Sequence, residues 1–461
     1  MGRADVPPAG LGEDGRMRQT WELRAEFAQR LSDLYGREVP AYTTLVDVAH
    51  QVNRDVVGEL GAGAERLGSI ERVTAERHGA IRVGTPTELA QLARIFGALG
   101  MYPTGFYDLR EASTEAAVPV VSTAFRPTDP DELARNPFRV FTSLLATQDR
   151  RFFGAELAVR LEAFLARRRL FGPRLLELAD LAEAEGGLPP NSADEFLTLA
   201  TASFALSTEP VDRAWYNELS QISAVAADIG GVGSTHINHL TPRVLDIDEL
   251  YARMTGLGIE MIDKIQGPPR WAGPDVLLRQ TSFKALAEPR RFIEPDGSLG
   301  TGSLRVRFGE VEARGIALTR RGRAIYEEQG VLGLPTTEQG LAASRLGVFT
   351  LTAVPDRARD GRAPAGPELA TLLADGWLRA EPVVYEDFLP RSAAGIFRSN
   401  LTSDGSRDAE QQGADLDADW LAGVLQRPLL DPDDVYETRA TAAERSALAD
   451  LDLDLDPRST L

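Results

Sequence analysis

Residues 76–101 read ERHGAIRVGTPTELAQLARIFGALGM, and residues 238–259 repeat their layout as NHLTPRVLDIDELYARMTGLGI. In each copy the histidine, His78 or His239, is followed at the same offset by an arginine, Arg82 or Arg243, and then by a glutamate, Glu88 or Glu249. Both copies run into an apolar helical stretch that closes on a Leu-Gly pair, Leu99-Gly100 and Leu257-Gly258. The spacing from histidine to that pair differs between the copies by about one helical turn. A module that opens twice on an imidazole predicts a two-module protein with a paired-histidine metal site.

The rest of the chain arranges itself around these modules. Leu23, Phe27, Leu31 and Leu34 recur at helical spacing in WELRAEFAQRLSDLYGREV, so residues 20–128 are expected to hold an N-terminal amphipathic helix and the first module. Its own helix is announced by Thr85 and Pro86, and strands follow in TGFYDLREA and AAVPVVSTAFRP. Residues 129–228 turn rich in Ala, Leu, Glu and Arg and predict a helical insertion. The second module and a C-terminal core segment occupy 229–405, with GIEMIDKI and SLRVRFGEVEARGIAL read as strands around a loop containing Pro268, Pro269 and Trp271. Residues 406–461 read as an acidic, partly disordered region. Together these elements predict an α+β fold in which the repeated strand–helix–strand modules share one sheet.

Composition narrows the chemistry. With 69 acidic residues against 50 basic ones the formal charge is −19, which argues against nucleic acid or an anionic membrane as principal partner. No window is long and apolar enough to span a bilayer, and the N-terminus lacks a signal-peptide layout, so the cytoplasm is the expected location. Cysteine is absent, which excludes disulfides, thiolate clusters and Cys-based nucleophiles. Any metal must be held by nitrogen and oxygen, a donor set suited to iron, manganese, zinc or nickel.

The chain has four histidines, His50, His78, His236 and His239. On a regular strand His239 shares a face with Ile237 and Thr241 and opposes Asn238 and Leu240, leaving His236 on the other face. His239 also matches His78 through the repeat, and His50 is read as surface or structural. Two histidines need a carboxylate to complete a non-haem site. VRFGEVEARG offers Glu310 or Glu312 on one side of a strand, with Arg305 and Arg307 displayed on the other. Strand phase does not separate the two glutamates. Arg82 lies on the His78 face within about 13 Å, where it either receives a substrate carboxylate or pairs with Glu76 or Asp108. Arg243 is its pseudo-symmetric copy, disturbed by Pro242. Ser399 and Asn400, polar within the apolar run AGIFRSNL, either close a pocket or cap a turn.

ERHGAIRVGTPTELAQLARIFGALGMYPTGFYDL, INHLTPR, RFGEVEARGIALT and AGIFRSNL, in that order over most of the chain, closely resemble the 2-oxoadipate dioxygenase/decarboxylase family of the vicinal oxygen chelate superfamily. The resemblance implies duplicated modules around a curved sheet or barrel, and an Fe(II) enzyme of lysine catabolism that converts 2-oxoadipate and O2 to 2-hydroxyglutarate and CO2. It implies His78, His239 and Glu310 as metal ligands, Arg82 as the substrate-carboxylate arginine and Ser399 as a further substrate contact. A 2-oxo acid can chelate iron through its carboxylate and carbonyl oxygens and leave a position for O2. Two rival classes stand beside this one: another metal-dependent lyase or hydrolase on the same scaffold, and a non-enzymatic paired-module binding protein.

Overall fold

The computed structural model describes residues 16–111, 117–305, 307–354, 364, 366–389, 408 and 411–453. Helix α1 (Thr20–Glu38) buries Leu23, Phe27, Leu31 and Tyr35 along one stripe, and α2 (Pro40–Leu60) buries Tyr42, Leu45, Val48 and Val52. The first module is strand β1 (Arg77–Val83), helix α3 (Pro86–Gly97), then β2 (Tyr102–Asp108) and β3 (Val120–Arg126). Thr85 and Glu88 form a reciprocal capping box at the start of α3, and Gly100 ends the turn after it with φ +65°. The second module repeats this grammar. Strand β5 (Ile237–Pro242) leads to α9 (Ile247–Gly256), Asp246 caps it, and Gly258 follows with φ +77°.

Between the modules lie strand β4 (Arg139–Leu145) and helices α4 (Ala155–Leu165), α5 (Pro173–Glu185), α6 (Pro190–Ala202), α7 (Arg213–Ser220) and α8 (Ala224–Gly230). The stretch expected to be helical therefore also supplies a sheet strand. Every residue of β4 is buried, so it lacks the alternation that betrays a strand in sequence.

The main sheet has the order β2-β3-β4-β1-β5. Strand β1 runs parallel to β4 and antiparallel to β5, with His78 opposite Thr241 and Ala80 opposite His239. A second pair, β6 (Leu278–Phe283) and β9 (Gly309–Arg314), sets Glu310 opposite Ser282 and Glu312 opposite Gln280. The pair is tied to the end of β5 by Val244, whose N–H donates to the Glu312 carbonyl at 2.8 Å. One face of the sheet, with Ile81, Val83, Val121, Phe125, Val140 and Leu144, packs into the core shared with α1, α2 and α3. The opposite face carries His78, Arg82 and Arg139 among apolar neighbours.

Two further expectations are corrected. SLRVRFGEVEARGIAL is not one strand: β8 (Leu299–Leu304) pairs with β7 (Glu288–Ile293), whereas β9 pairs with β6. The break also turns Arg307 inward against Glu288 and Glu38, while Arg305 remains exposed. GIEMIDKI makes only isolated bridges, Met261 to Phe283 and Gln266 to Gln280 just beyond it, because left-handed Gly258 and Gly267 (φ +96°) bracket it. Within 406–461, helices α10 (Ala418–Leu425) and α11 (Pro432–Ala449) bury Leu421, Leu425, Tyr436 and Leu448. No helix among the described residues is long and apolar enough to cross a membrane.

Candidate metal centre

The main sheet and the β6–β9 pair bring His78, His239 and Glu310 together, with one donor atom from each lying within 4.8 Å of the others. β1, β5 and β9 each contribute one residue. The Nε2 atoms of His78 and His239 face opposite oxygens of the Glu310 carboxylate at 3.4 and 3.5 Å. All three side chains are buried, and the imidazoles meet edge to face at 5.2 Å between centroids. Phe388 packs against His78 and Phe308 against His239, closing apolar walls around the cluster.

The donor set fits a cation. Among the described residues neither ring nitrogen of His239 has a hydrogen-bond partner, an expensive condition for a buried polar group. Burial, with help from His78 and Arg82, holds His239 well below the usual imidazole range, so it is in the neutral form that ligates metals. Burial also pushes the Glu310 carboxyl up, only partly opposed by His78. A divalent cation between these groups would satisfy the His239 Nε2 that faces Glu310 and compensate the carboxylate. Two histidines and one carboxylate with remaining positions open form the donor set of non-haem Fe(II) oxygenases.

Glu312 stands apart from that cluster and behind it. Its Oε2 lies 2.7 Å from His78 Nδ1, a close carboxylate–imidazole contact outside hydrogen-bond alignment. It also accepts two hydrogen bonds from Arg314, at 2.7 and 2.9 Å, and approaches Arg139 at 3.3 Å. Burial opposes its charged form, but Arg314, His78 and Arg139 outweigh that and hold it down to about 2. An anion behind the far nitrogen of a ligand histidine is the usual brace for a metal-bound imidazole. Around it runs a buried charge network: Arg139 bonds Glu76 at 2.8 Å and also Glu386, Arg243 bonds Glu76 at 2.9 Å, and Arg126 holds Asp387 at 2.7 Å.

Arg82 pairs with neither Glu76 nor Asp108. Its Nη1 donates to Asp228 Oδ2 at 2.5 Å, both side chains being buried. His236, assigned to the opposite face by strand phase, comes round to this same side. The register slips between Ala80 and Ile81, so Ala80 opposes His239 while Ile81 opposes Ile237, and Asn238 is the extra residue of a β-bulge. The bulge also sends Ile237 to the apolar core rather than to the His239 face. His50 sits half-buried on α2, outside the cluster, and Ser399 and Asn400 lie outside the described residues. Sequence reasoning missed Asp228, Gln280 and the role of Glu312. Gln280 Nε2 donates to Glu310, and no local spacing announces any of these contacts.

The profile of the family described as 2-oxoadipate dioxygenase/decarboxylase matches residues 27–400. The 2-oxoadipate dioxygenase/decarboxylase of Mycobacterium tuberculosis is 55% identical over 436 residues, covering 93% of this chain and 98% of its own. That of Escherichia coli is 39% identical over 454 residues, covering 92% and 97%. The crystal structure of the hydroxyglutarate synthase from Pseudomonas putida in complex with 2-oxoadipate superposes with a TM-score of 0.79 at 34% identity, covering 95% of this chain and 99% of that one. The chain belongs to the 2-oxoadipate dioxygenase/decarboxylase family.

Proposed function

We propose that the protein is an Fe(II)-dependent dioxygenase and decarboxylase that converts 2-oxoadipate and O2 to 2-hydroxyglutarate and CO2. His78, His239 and Glu310 are its metal ligands, and Arg82 receives a substrate carboxylate. The observation that carries this reading is the buried cluster of two imidazoles and one carboxylate within 4.8 Å, in a chain of this family. The first module, 20–128, gives His78 and Arg82, and the second, 229–405, gives His239 and Glu310. The motif FRSNL adds Ser399 as a further substrate contact.

Bound Fe(II) supplies chelation of the 2-oxo acid and activation of O2. The chain supplies the rest. His239 enters as a neutral donor, and Glu312 fixes the His78 ring from behind. Arg82, buried beside the cluster, anchors a carboxylate with its planar guanidinium and so sets the reach of the substrate from the metal. Phe388 and Phe308, with the near-complete burial of both histidines, keep bulk water from the reacting carbons. The overall reaction balances: the C1 carboxylate leaves as CO2 with its own two oxygens, one oxygen atom of O2 enters the new carboxylate formed at the 2-oxo carbon, and the other becomes the new hydroxyl. We assign the enzyme to the cytoplasm, where a reducing environment keeps iron divalent and the lack of cysteine carries no penalty; fractionation of cells producing the protein tests this.

The test of the activity is oxygen uptake and CO2 release by protein reconstituted anaerobically with Fe(II) and then given 2-oxoadipate and O2. Equimolar O2 consumption and CO2 release is the expected result, lost in His78→Ala, with Arg82→Ala chiefly impairing substrate use. CO2 release without oxygen uptake would favour a lyase, and full activity with stoichiometric iron in His78→Ala would overturn the ligand assignment.

A further inference from the structure

One histidine of the HINH motif, His236, is left unused by the metal cluster, and its surroundings point to a role for a neighbouring carboxylate. We propose that Asp228 is a positioning residue for substrate: held by the Asn238 amide, which His236 orients in turn, it fixes the Arg82 guanidinium in the orientation that receives the substrate carboxylate. The proposal rests on the reading of Arg82 given above.

Asp228 lies in α8, buried, with Oδ2 shared between Arg82 Nη1 at 2.5 Å and Asn238 Nδ2 at 2.9 Å. The Asn238 amide also stands 3.1 Å from His236 Nε2. An amide nitrogen has two hydrogens, so one serves Asp228 and the other His236, which makes Nε2 an acceptor and the ring neutral. Burial pushes His236 down to about 4, in the same direction. A neutral ring 3.3 Å from Asp228 Oδ1 brings no second cation to compete with Arg82 for the carboxylate.

The β-bulge makes this arrangement possible. Without the extra residue at Asn238, His236 would follow strand alternation to the apolar core. The bulge is itself pinned, because Tyr35 donates its hydroxyl to the Asn238 carbonyl at 3.0 Å. Arg82 is pinned at its backbone, where its carbonyl accepts from Thr235 Oγ1 at 2.8 Å. A long arginine side chain is thereby fixed at both ends. In a dry site this spares the rotamer freedom that a mobile guanidinium would lose on binding substrate.

The test is calorimetric titration of 2-oxoadipate into the Fe(II) enzyme under strict anaerobiosis, for wild type, Asp228→Asn, Arg82→Gln and the double variant, with iron content measured on each. Asp228→Asn should raise Kd about tenfold or more with iron intact, and in the Arg82→Gln background the same change should alter Kd less than about twofold, the non-additivity of directly coupled groups. In turnover the Asp228→Asn defect should fall on KM rather than on kcat at saturating substrate. An equal loss in both backgrounds, an unchanged Kd, or a Kd rise that tracks loss of iron would each overturn the proposal. An Arg82→Gln variant that binds normally would instead overturn the reading of Arg82. If Asp228→Asn does not fold, Asn238→Ser removes one donor while keeping the ion pair: a Kd rise confined to the Arg82 background supports the clamp, and no rise overturns it.

Discussion

Glu310 and Glu312 share one face of β9 and are both buried, yet neutralising them should have opposite consequences. Glu312→Gln removes the anion facing Arg314, Arg139 and His78 Nδ1. Breaking a buried ion pair from one side costs about 3–5 kcal/mol. Here Arg139 keeps Glu76 and Glu386, and Arg314 keeps the carbonyls of Tyr385 and Asp387 at 2.8 and 3.0 Å. Glutamine also retains one acceptor, so the lower end, about 3 kcal/mol, is expected. For 461 residues, an unfolding entropy of about 2.1 cal/mol/K per residue makes this a shift of only about 3 °C, so urea unfolding of the metal-free protein is the better assay. Iron affinity should fall about 10- to 100-fold through loosening of His78, with full loading restored by excess metal.

Glu310→Gln should do the reverse. Among the described residues no arginine or lysine contacts the Glu310 carboxylate, which meets only the Gln280 amide and the two imidazoles. Removing a buried charge without a strong partner leaves the metal-free protein as stable as before or more so. Iron binding at stoichiometric metal should be lost with the ligand. Anaerobic equilibrium dialysis against Fe(II), paired with urea unfolding, reads both quantities. A Glu312→Gln protein of unchanged stability that holds no iron, beside a destabilised Glu310→Gln protein that holds it normally, would refute the assignment of roles.

His236→Asn should retain stoichiometric iron, whereas His239→Asn should lose it; metal analysis after anaerobic loading separates them. Tyr436→Phe deletes the hydroxyl that donates to Asp387 at 2.6 Å and accepts the Glu386 N–H at 2.7 Å, so urea unfolding should show a loss of about 1–3 kcal/mol. Glu386 is held below the ordinary carboxylate range because, against the penalty of burial, Arg72 and Arg139 stabilise its anion. A depressed folded pKa gives stability that is present above the unfolded value near 4.3 and lost as pH falls through the folded one. Glu386→Gln should therefore destabilise more at pH 6 than at pH 3, and equal losses at both would count against an ionised Glu386.

What could be read from sequence was local. The capping residues Thr85 and Asp246 and the left-handed glycines Gly100 and Gly258 act within a turn of their neighbours, so both copies of the module were visible. Strand phase failed where the period breaks. The β5 run is buried throughout, so nothing in INHLTP marks Asn238 as a bulge, and the faces of Ile237 and His236 came out reversed. Glu310 and Glu312 were inseparable because their difference lies in Arg314, Arg139 and Gln280, brought up by folding. Asp228 was invisible for the same reason, standing 146 residues from the arginine it holds.

The repeat itself ends in asymmetry, and the asymmetry suits the reaction. Arg82 and Arg243 hold equivalent places after their histidines, but only Arg82 stands with Asp228 beside the metal cluster. Arg243 follows Pro242, beyond the point where β5 leaves β1, and is spent on Glu76 and the Leu67 carbonyl, in the network that supports Glu312. Glu88 is likewise buried against Arg168, while Glu249 faces solvent with Arg253. The histidines diverge too, His78 backed by Glu312 and His239, among the described residues, without a hydrogen-bond partner beside Phe308. Two equivalent guanidinium groups would bind a dicarboxylic 2-oxo acid in either direction, only one of which presents the 2-oxo end to the metal. On the proposed role of Arg82, one copy of the arginine serves substrate and the other the scaffold, so a single binding direction is favoured, and the charge of the second copy stiffens the residue it lies behind.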